Sequence, residues 1–308
     1  MDSASWSFSE PERLSGEQLP AEVEILLSNL SALGKEAGSV DRRRNAQIGE
    51  LASLISLPEN ASVRDTLSDF IAHLPSKGDV IRLCKALTRR GYRQMDEAFS
   101  PADPPSASAS ECVAYLRSRY TDAAYLTLTA HLSKPRAIYF SSFTDVCEEV
   151  YHGLCEYCIL PVESATDGKL IRFYTLIEKF ELKIVAVCDI EDASGTETRY
   201  ALLRHRYVPL RRSSRLHGER FAEFSIVIDA GVSLTDVLNA ADACGLRLSR
   251  ADSAPLSYRE NGYRYGLVFS LAEAPGGEDA PALEAFLLYL ALFLPEYTPI
   301  GIYSRISE

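Results

Sequence analysis

The residues best placed to do chemistry on their own are two cysteines, Cys155 and Cys158, in the motif Cys-Glu-Tyr-Cys. A C-x-x-C motif can hold a redox pair or half of a zinc site. No second pair follows at zinc spacing, and the seven cysteines are odd in number and irregularly placed. Because most of them lie in apolar runs, we favour a structural role as small hydrophobes and expect no disulfide framework.

Charged residues offer two further kinds of chemistry. The runs Arg42–Arg44 and Arg89–Arg90 could bind an anion or nucleic acid, although such runs more often form a solvated helix face. Arg211, Arg212 and Arg215 lie in a connector, where a solvated linker is the favoured interpretation. The formal net charge of −11 argues against non-specific nucleic-acid binding and leaves room for a small anionic ligand. Glu163 could transfer protons, or it could accept backbone N–H bonds within a turn, and both interpretations stay open.

The elements that must position these residues begin with a helical module. Residues 1–20 are polar and predict a flexible tail, whereas apolar residues recur at helical spacing over residues 21–99. Residues 100–110 contain three prolines and small polar residues, which predict a linker. The chain of 308 residues is long enough for two or three domains.

Strand and helix patterns alternate over residues 111–210, which predicts an α/β layer with a largely parallel sheet. Over residues 220–308 the order βαββαβ predicts a ferredoxin-like module. The apolar stretch Phe286–Leu294 is too short to cross a bilayer, and the N-terminus lacks the basic and apolar regions of a secretory signal. We therefore expect a cytoplasmic protein with no membrane or nucleic-acid partner.

Two motifs in the central part suggest a family. One is the turn Pro161-Val162-Glu163-Ser164-Ala165-Thr166-Asp167-Gly168, and the other is Thr198-Arg199-Tyr200. In order and spacing they resemble the Pro-Ile-Glu-Asn-Ser-x-x-Gly turn and the Thr-Arg-Phe motif of prephenate dehydratases. The resemblance implies a catalytic set of Thr198, Arg199, Tyr200 and Glu163, with no cofactor and no metal. It also implies a central lobe like one half of a periplasmic binding protein.

The C-terminal part resembles the ACT domain that follows the dehydratase in this family. Asp252-Ser253-Ala254-Pro255 resembles the Glu-Ser-Arg-Pro motif, and Gly231-Val232-Ser233-Leu234 resembles the turn before the first ACT helix. The resemblance implies a homodimer and an effector pocket built from Gly231, Leu234, Asp252, Ser253 and Pro255. The helical module stands where bifunctional relatives carry a chorismate mutase, which implies mutase-like positions at Arg43, Arg64 and Gln94.

Two departures from the family pattern affect the catalytic cleft. Arg117-Ser118-Arg119-Tyr120-Thr121 replaces a glycine-rich loop, and only nine residues separate Cys188 from Thr198, where the family builds a second lobe. Bulky residues keep backbone N–H groups away from a carboxylate, and an open site leaves water around the reacting groups. We therefore expect weak or absent dehydratase activity.

Three functions remain open from the sequence. The first is a diverged prephenate dehydratase-family protein of phenylalanine biosynthesis, with an α+β multidomain fold. The second is a non-catalytic sensor that binds phenylalanine or a related aromatic acid through paired ACT domains. The third is a chorismate mutase in the helical module. The expected ligand is in each case a small aromatic or dicarboxylate molecule: prephenate, chorismate or phenylalanine.

Overall fold

A computed structural model describes residues 21–55, 63–94, 98–99, 111–207, 219–228, 232–256, 263–271 and 281–306. The predicted tail and linker therefore lie outside the described residues. The chain divides into two compact units, Met1–Leu51 and Ala52–Glu308. The described part of the first unit is helix α1, Ala21–Leu54, which ends just inside the second.

The second unit begins with two short helices, α2 (Val63–Ala72) and α3 (Lys77–Arg89). Helix α3 starts at Ser76, whose side chain accepts a hydrogen bond from the backbone N–H of Asp79, as in a standard N-cap. The apolar stripe predicted for α3 is buried, and it includes Val80, Leu83 and Leu87. These observations agree with the expected helical pattern, although Asp79 lies in the first turn and does not itself cap the helix.

The central part alternates strands and helices. Its elements are β1 (Cys112–Leu116), α4 (Arg119–Thr129), β2 (Arg136–Phe140), α5 (Phe143–Tyr151), β3 (Tyr157–Ser164), β4 (Gly168–Lys169), α6 (Ile171–Lys179), β5 (Lys183–Glu191) and β6 (Glu197–Arg204). Strands β5 and β6 form a hairpin whose tip, residues 192–196, lies within the nine-residue stretch between Cys188 and Thr198. At this tip the Asp192 carboxylate accepts hydrogen bonds from the backbone N–H groups of Ser194 and Thr196.

The C-terminal part shows the predicted βαββαβ order. Its elements are β7 (Arg220–Val227), α7 (Leu234–Cys244), β8 (Arg247–Pro255), β9 (Tyr263–Leu271), α8 (Pro281–Phe293) and β10 (Thr298–Ile306). Helix α7 begins with a capping box between Ser233 and Asp236 and ends at Gly245, in the left-handed conformation that favours glycine.

All the strands belong to one mixed sheet of ten strands, in the order β2-β1-β3-β6-β5-β10-β7-β9-β8, with β4 paired to β3. The predicted sheet was largely parallel, but β6 runs antiparallel to both β3 and β5. The C-terminal strands join the central ones where β10 pairs in parallel with β5. At this seam a Cβ atom on Gly301 would lie 2.8 Å from the backbone nitrogen of Ile184, so only glycine allows the approach.

The core of the central sheet lies on both of its faces. Leu160, Phe173 and Ala201 belong to the cluster on the side of α5 and α6, whereas Tyr115, Leu128 and Leu202 belong to the cluster on the side of α4. Successive strand residues alternate between these clusters, as the pleat requires, except at register shifts in β5 near Val185 and in β3 near Val162. The chemistry available to a side chain therefore depends on which face its position occupies.

Helix α8 forms the core of the C-terminal part. Its Phe286 ring contacts the rings of Phe224 and Phe269 at 5.9 and 5.2 Å between centroids. The backbone N–H of Gln94 donates to the buried carboxylate of Glu284 at 2.7 Å, which ties the end of the helical segment to α8. None of the helices in the described part of the chain is long and apolar enough to cross a membrane.

A buried lysine, Lys183, stands at the start of β5 and is 8% exposed. Its ammonium donates to the carbonyl oxygen of Pro299 at 2.7 Å. Burial lowers the pKa of Lys183 from 10.5 to about 8, and the carboxylate of Glu181 only partly opposes this. The folded protein therefore loses the Lys183 proton at a lower pH than the unfolded chain does.

This lysine predicts a specific pH dependence of stability. Between pH 8 and 10.5 the unfolded chain keeps the Lys183 proton while the folded protein loses it, so the unfolding free energy rises with pH. Lys183→Met removes this contribution. We expect urea titrations across that window to show the wild type gaining stability relative to the variant. Parallel pH profiles would contradict the burial of this charge.

Candidate functional site

Five charged side chains from five strands meet in one connected group, which we call the Glu163 network. Its members are Glu163 on β3, Asp189 on β5, Arg199 on β6, Arg250 on β8 and Arg305 on β10. Arg199 donates from Nη1 to Glu163 Oε2 at 2.7 Å and from Nε to Asp189 Oδ1 at 2.9 Å. Arg250 donates to the same Glu163 oxygen, and Arg305 donates to Asp189 Oδ2 at 2.6 Å.

A second group, the Lys169 cluster, adjoins this network. Lys169 Nζ lies 3.3 Å from Glu223 Oε1, 3.2 Å from Asp252 Oδ1 and 3.9 Å from the centre of the Tyr174 ring. The hydroxyl of Tyr303 donates to the other Glu223 oxygen at 3.0 Å. The two groups connect because Arg250 Nε lies 4.0 Å from Asp252 Oδ2.

A glycine on the C-terminal sheet makes room for this lysine. A Cβ atom on Gly266 would lie 2.5 Å from both Lys169 Nζ and Asp252 Oδ1. The bare backbone at Gly266 therefore lets an ammonium from β4 reach the face of the C-terminal strands. Glu223, which receives this ammonium, is 1% exposed.

Limited exposure makes these charges interact strongly. The side chains of Glu163 and Arg199 are 26% and 27% exposed, and that of Asp189 is 15% exposed. Burial acts against the charge of Arg199, but the carboxylates of Asp189 and Glu163 outweigh it and raise the pKa of Arg199. Burial, and then Glu223, raise the pKa of Tyr303 well above its ordinary value.

The four residues of the predicted catalytic set lie on two different faces of the sheet. Glu163 and Arg199 pair directly across β3 and β6 on the face of α5 and α6. Tyr200 is 7% exposed and belongs to the core on the α4 side. Thr198, two residues before Tyr200 on the same strand, shares that side by the alternation of the pleat. Thr198 and Arg199 therefore point away from each other.

The carboxyl ends of the parallel strands form the edge where α/β proteins commonly bind ligands. Helices α4 and α5 begin at this edge, capped by Ser118 and Ser142. Arg117, in the segment that replaces the family's glycine loop, stacks 4.9 Å above the Tyr139 ring and lies 3.6 Å from Asp122. The carboxyl edge of the parallel strands is thus lined by the side chains of Arg117 and Tyr139 and by two helix N-termini that serine side chains already cap.

The predicted effector positions are dispersed. Asp252 is held by Lys169, whereas Ser253 and Pro255 follow on β8, which pairs only with β9 among the described strands. Leu234 is the first residue of α7, directly after its Ser233 cap. Gly231 lies outside the described residues.

Of the three mutase-like positions, two share a cavity. Arg64 and Gln94 line a space of about 330 Å³ together with Ala291 and Tyr297. Gln94 is 2% exposed, and its side-chain oxygen accepts a hydrogen bond from the hydroxyl of Tyr92 at 2.7 Å. Arg43 belongs to the other compact unit, where it is exposed on α1.

The cysteines pair differently from the C-x-x-C motif. Cys155 forms a disulfide with Cys112, at a Cα–Cα distance of 4.9 Å, and not with Cys158. Cys158 is a buried free thiol beside Cys147 in the same core. The sequence predicted no disulfide framework, and apart from this one bridge the other five cysteines are buried free thiols. In the described residues no group of three or more His, Cys, Asp or Glu side chains is arranged to hold a metal ion.

Comparison with known proteins bears on the central part. The sequence model of the prephenate dehydratase family matches residues 113–191. The resemblance to prephenate dehydratases is confirmed. The match spans β1 to β5 and includes Glu163 and Asp189, but it stops before Thr198. No curated protein sequence matches the chain.

One solved structure supports the same fold. The prephenate dehydratase of Streptococcus mutans superposes with a TM-score of 0.53 at 17% identity, covering 64% of this chain and all of the other. A structure described as a novel quorum-quenching acylase, GqqA, gives 0.47 at 17% identity, covering 64% and 96%. A prephenate dehydratase of Arthrobacter aurescens in complex with L-Phe gives 0.47 at 15% identity, covering 63% and 90%.

The motifs singled out in the sequence include Glu163 and Arg199 but not the residues that contact them. Asp189 on β5 and Arg250 on β8 bind this pair, and Lys169 lies in the adjoining cluster. Asp189 had a usable sequence pattern, since it is the one charged residue interrupting the apolar run Ile184–Ile190. Arg250 and Lys169 had no such sequence pattern, because nothing in their local sequence predicts that β8 approaches β3.

Proposed function

We propose that this chain is a diverged prephenate dehydratase-family protein in which the family's site residues stabilise the fold and do not dehydrate prephenate. The observation that supports this most is the Glu163 network. The Glu163 carboxylate accepts from both Arg199 and Arg250, and Arg199 is also bound to Asp189. The two residues most suited to bind and protonate a substrate are engaged with other side chains.

The chemistry of the reaction supports the same proposal. Loss of hydroxide from prephenate needs a positioned proton donor, and two substrate carboxylates need donors to orient them. Thr198 lies on the opposite face from Arg199, so the two cannot grip one small molecule together. Because the tip at residues 192–196 is short, the cleft beside Glu163 and Arg199 has one wall only. Water in an open cleft weakens any electrostatic stabilisation of a transition state.

The test is direct. We expect the full-length protein to form no phenylpyruvate from prephenate above the uncatalysed rate, and Thr198→Ala to leave that result unchanged. Because prephenate also decays in acid, the assay is run at neutral to alkaline pH beside a protein-free blank. Robust phenylpyruvate formation that Thr198→Ala abolishes would refute the proposal.

The domain assignment belongs to the same proposal. Residues 21–99 form the mutase-like helical module, residues 111–210 the truncated dehydratase lobe, related to half of a periplasmic binding protein, and residues 220–308 the ACT domain. The strand order β10-β7-β9-β8 in the C-terminal part supports the ACT assignment. The buried hydrogen bond from Gln94 to Glu284 supports packing of the part of this module within the second unit on helix α8.

A non-catalytic sensor is the second candidate, and β8 favours it. This nine-residue strand lies at the end of the sheet, and its outer edge pairs with no described strand. An unpaired edge of this length is a template for a second copy of the chain, as a homodimeric ACT sensor requires. Ser253 and Pro255 would then lie at the dimer contact. A rise in melting temperature with phenylalanine would favour this candidate.

A further inference from the structure

A cavity of about 380 Å³ lies beside the start of β5, away from the Glu163 network. Its volume falls within the range of small-molecule sites. Its polar wall carries Lys183 and His205, and Glu181 also lines it. Its apolar wall is formed by Leu182, Ile300 and the ring of Tyr297.

His205 is buried without a hydrogen-bond partner. It is 6% exposed, and neither ring nitrogen has a hydrogen-bond partner among the described residues. Leaving such polar atoms unpaired costs about 1–3 kcal/mol, so a ligand that pairs with them gains affinity. The ring is held in place by Tyr151, which meets it edge-on at 5.1 Å between centroids.

Lys183 supplies the second donor. Its ammonium has three N–H groups, and the carbonyl oxygen of Pro299 is the one hydrogen-bond acceptor found for it among the described residues. Because burial lowers the pKa of Lys183 to about 8, the group is still protonated at pH 7. Burial outweighs the opposing carboxylate of Glu181 and, with help from Lys183, lowers the pKa of His205, which keeps its ring neutral there.

The acidic groups around the cavity do not neutralise the positive charge of Lys183. Glu178 lines the cavity but forms an ion pair with Arg264. Glu181 lies 3.9 Å from His205 Nε2, and its side chain is 65% exposed, so water screens it. The buried side of the cavity therefore presents an ammonium and an imidazole N–H with no buried anion to match them.

We propose that this cavity binds a small carboxylate with an apolar body, whose carboxylate lies between Lys183 and His205. The apolar body would contact Leu182, Ile300 and Tyr297. The site uses none of the predicted catalytic or effector residues, and it is independent of whether the protein dehydrates prephenate.

The first test compares two probes of the same shape by titration calorimetry on the full-length protein. We expect 3-phenylpropionate to bind saturably at pH 7, and the neutral 3-phenylpropanol to bind at least about tenfold more weakly, because a charge-assisted hydrogen bond is lost. The affinity for the acid should fall as the pH rises above 8, where Lys183 loses its proton.

Two variants locate the site. Lys183→Met should weaken 3-phenylpropionate binding about tenfold or more. His205→Phe should weaken it as well while keeping or raising the melting temperature, because it replaces unpaired polar atoms by a ring of similar shape. His152→Phe, at an exposed position, is the matched control, and Ser253→Ala probes the effector positions; neither should change the affinity.

The proposal is overturned by any of four results. One is the absence of saturable binding of 3-phenylpropionate. Another is equal affinity for acid and alcohol. The third is wild-type affinity in a folded His205→Phe variant. The fourth is loss of binding in Ser253→Ala alone, which would move the site to the C-terminal part. None of these results depends on the dehydratase assay.

Discussion

Gly301→Ala is expected to lower the unfolding free energy by about 3 kcal/mol, at the upper end of the range for overpacking. The added methyl would collide with the carbonyl oxygen of Ile184 and lie 2.8 Å from its nitrogen and Cβ. Backbone atoms held in a sheet cannot swing aside as a side chain can. The strain must therefore separate β10 from β5, and urea unfolding followed by circular dichroism would measure it.

The matched control is the same substitution in open space. A Cβ atom on Gly38, in helix α1, would meet no other atom within 4 Å, so Gly38→Ala should be neutral or stabilising by up to about 1 kcal/mol. If the two variants were equally stable, β5 and β10 would not be neighbours in solution. The single ten-stranded sheet would then separate into two.

The pairing of β5 with β10 at this seam was not predictable from the sequence. The periodicity of apolar residues gave the alternating strands and helices after residue 111 and the βαββαβ order after residue 220. It did not give the pairing of β5 with β10, because a parallel contact between distant strands leaves no local pattern. Strand β6 was also missed, and with it the hairpin that makes the sheet mixed.

The sequence likewise predicted some residues of the candidate site but not the contacts between them. Motif order selected Glu163 and Arg199, which do meet. It also joined Thr198 and Tyr200 to them, since a linear motif does not show that neighbours on a strand face opposite ways. Arg250 and Lys169 come from segments whose approach depends on the seam at Gly301. A motif can thus identify residues without giving their partners.

The cysteines make the same point about pairing. Cys155 and Cys158 are close in sequence, but Cys155 lies just before β3 and Cys158 within it, and the disulfide joins Cys155 to Cys112. Cys112 begins β1, the neighbour of β3 in the sheet. The order of strands in the sheet therefore determines that Cys155 pairs with Cys112, and the spacing of the C-x-x-C motif does not.

Lys169→Met is expected to destabilise the protein by about 3 kcal/mol, because removing one partner of a buried ion pair leaves the other charge uncompensated. Lys169 is the only cation within ion-pair distance of Glu223 among the described residues, and the side chains of these two are 13% and 1% exposed. The Tyr303 hydroxyl would remain as a donor, which limits the loss. Asp252 is less affected, since it is 28% exposed and still near Arg250.

Two comparisons separate this electrostatic cause from simple loss of packing. Lys179→Met, on the exposed side of α6, changes the same side chain near the same strands and should cost no more than about 1 kcal/mol, because it loses only an exposed contact with the Phe180 ring. Adding Glu223→Gln to Lys169→Met removes the stranded charge and should recover part of the loss. If the double variant were less stable than Lys169→Met alone by the full cost of Glu223→Gln, the two residues would be uncoupled. The Lys169 cluster would then not be what holds β4 against the C-terminal strands.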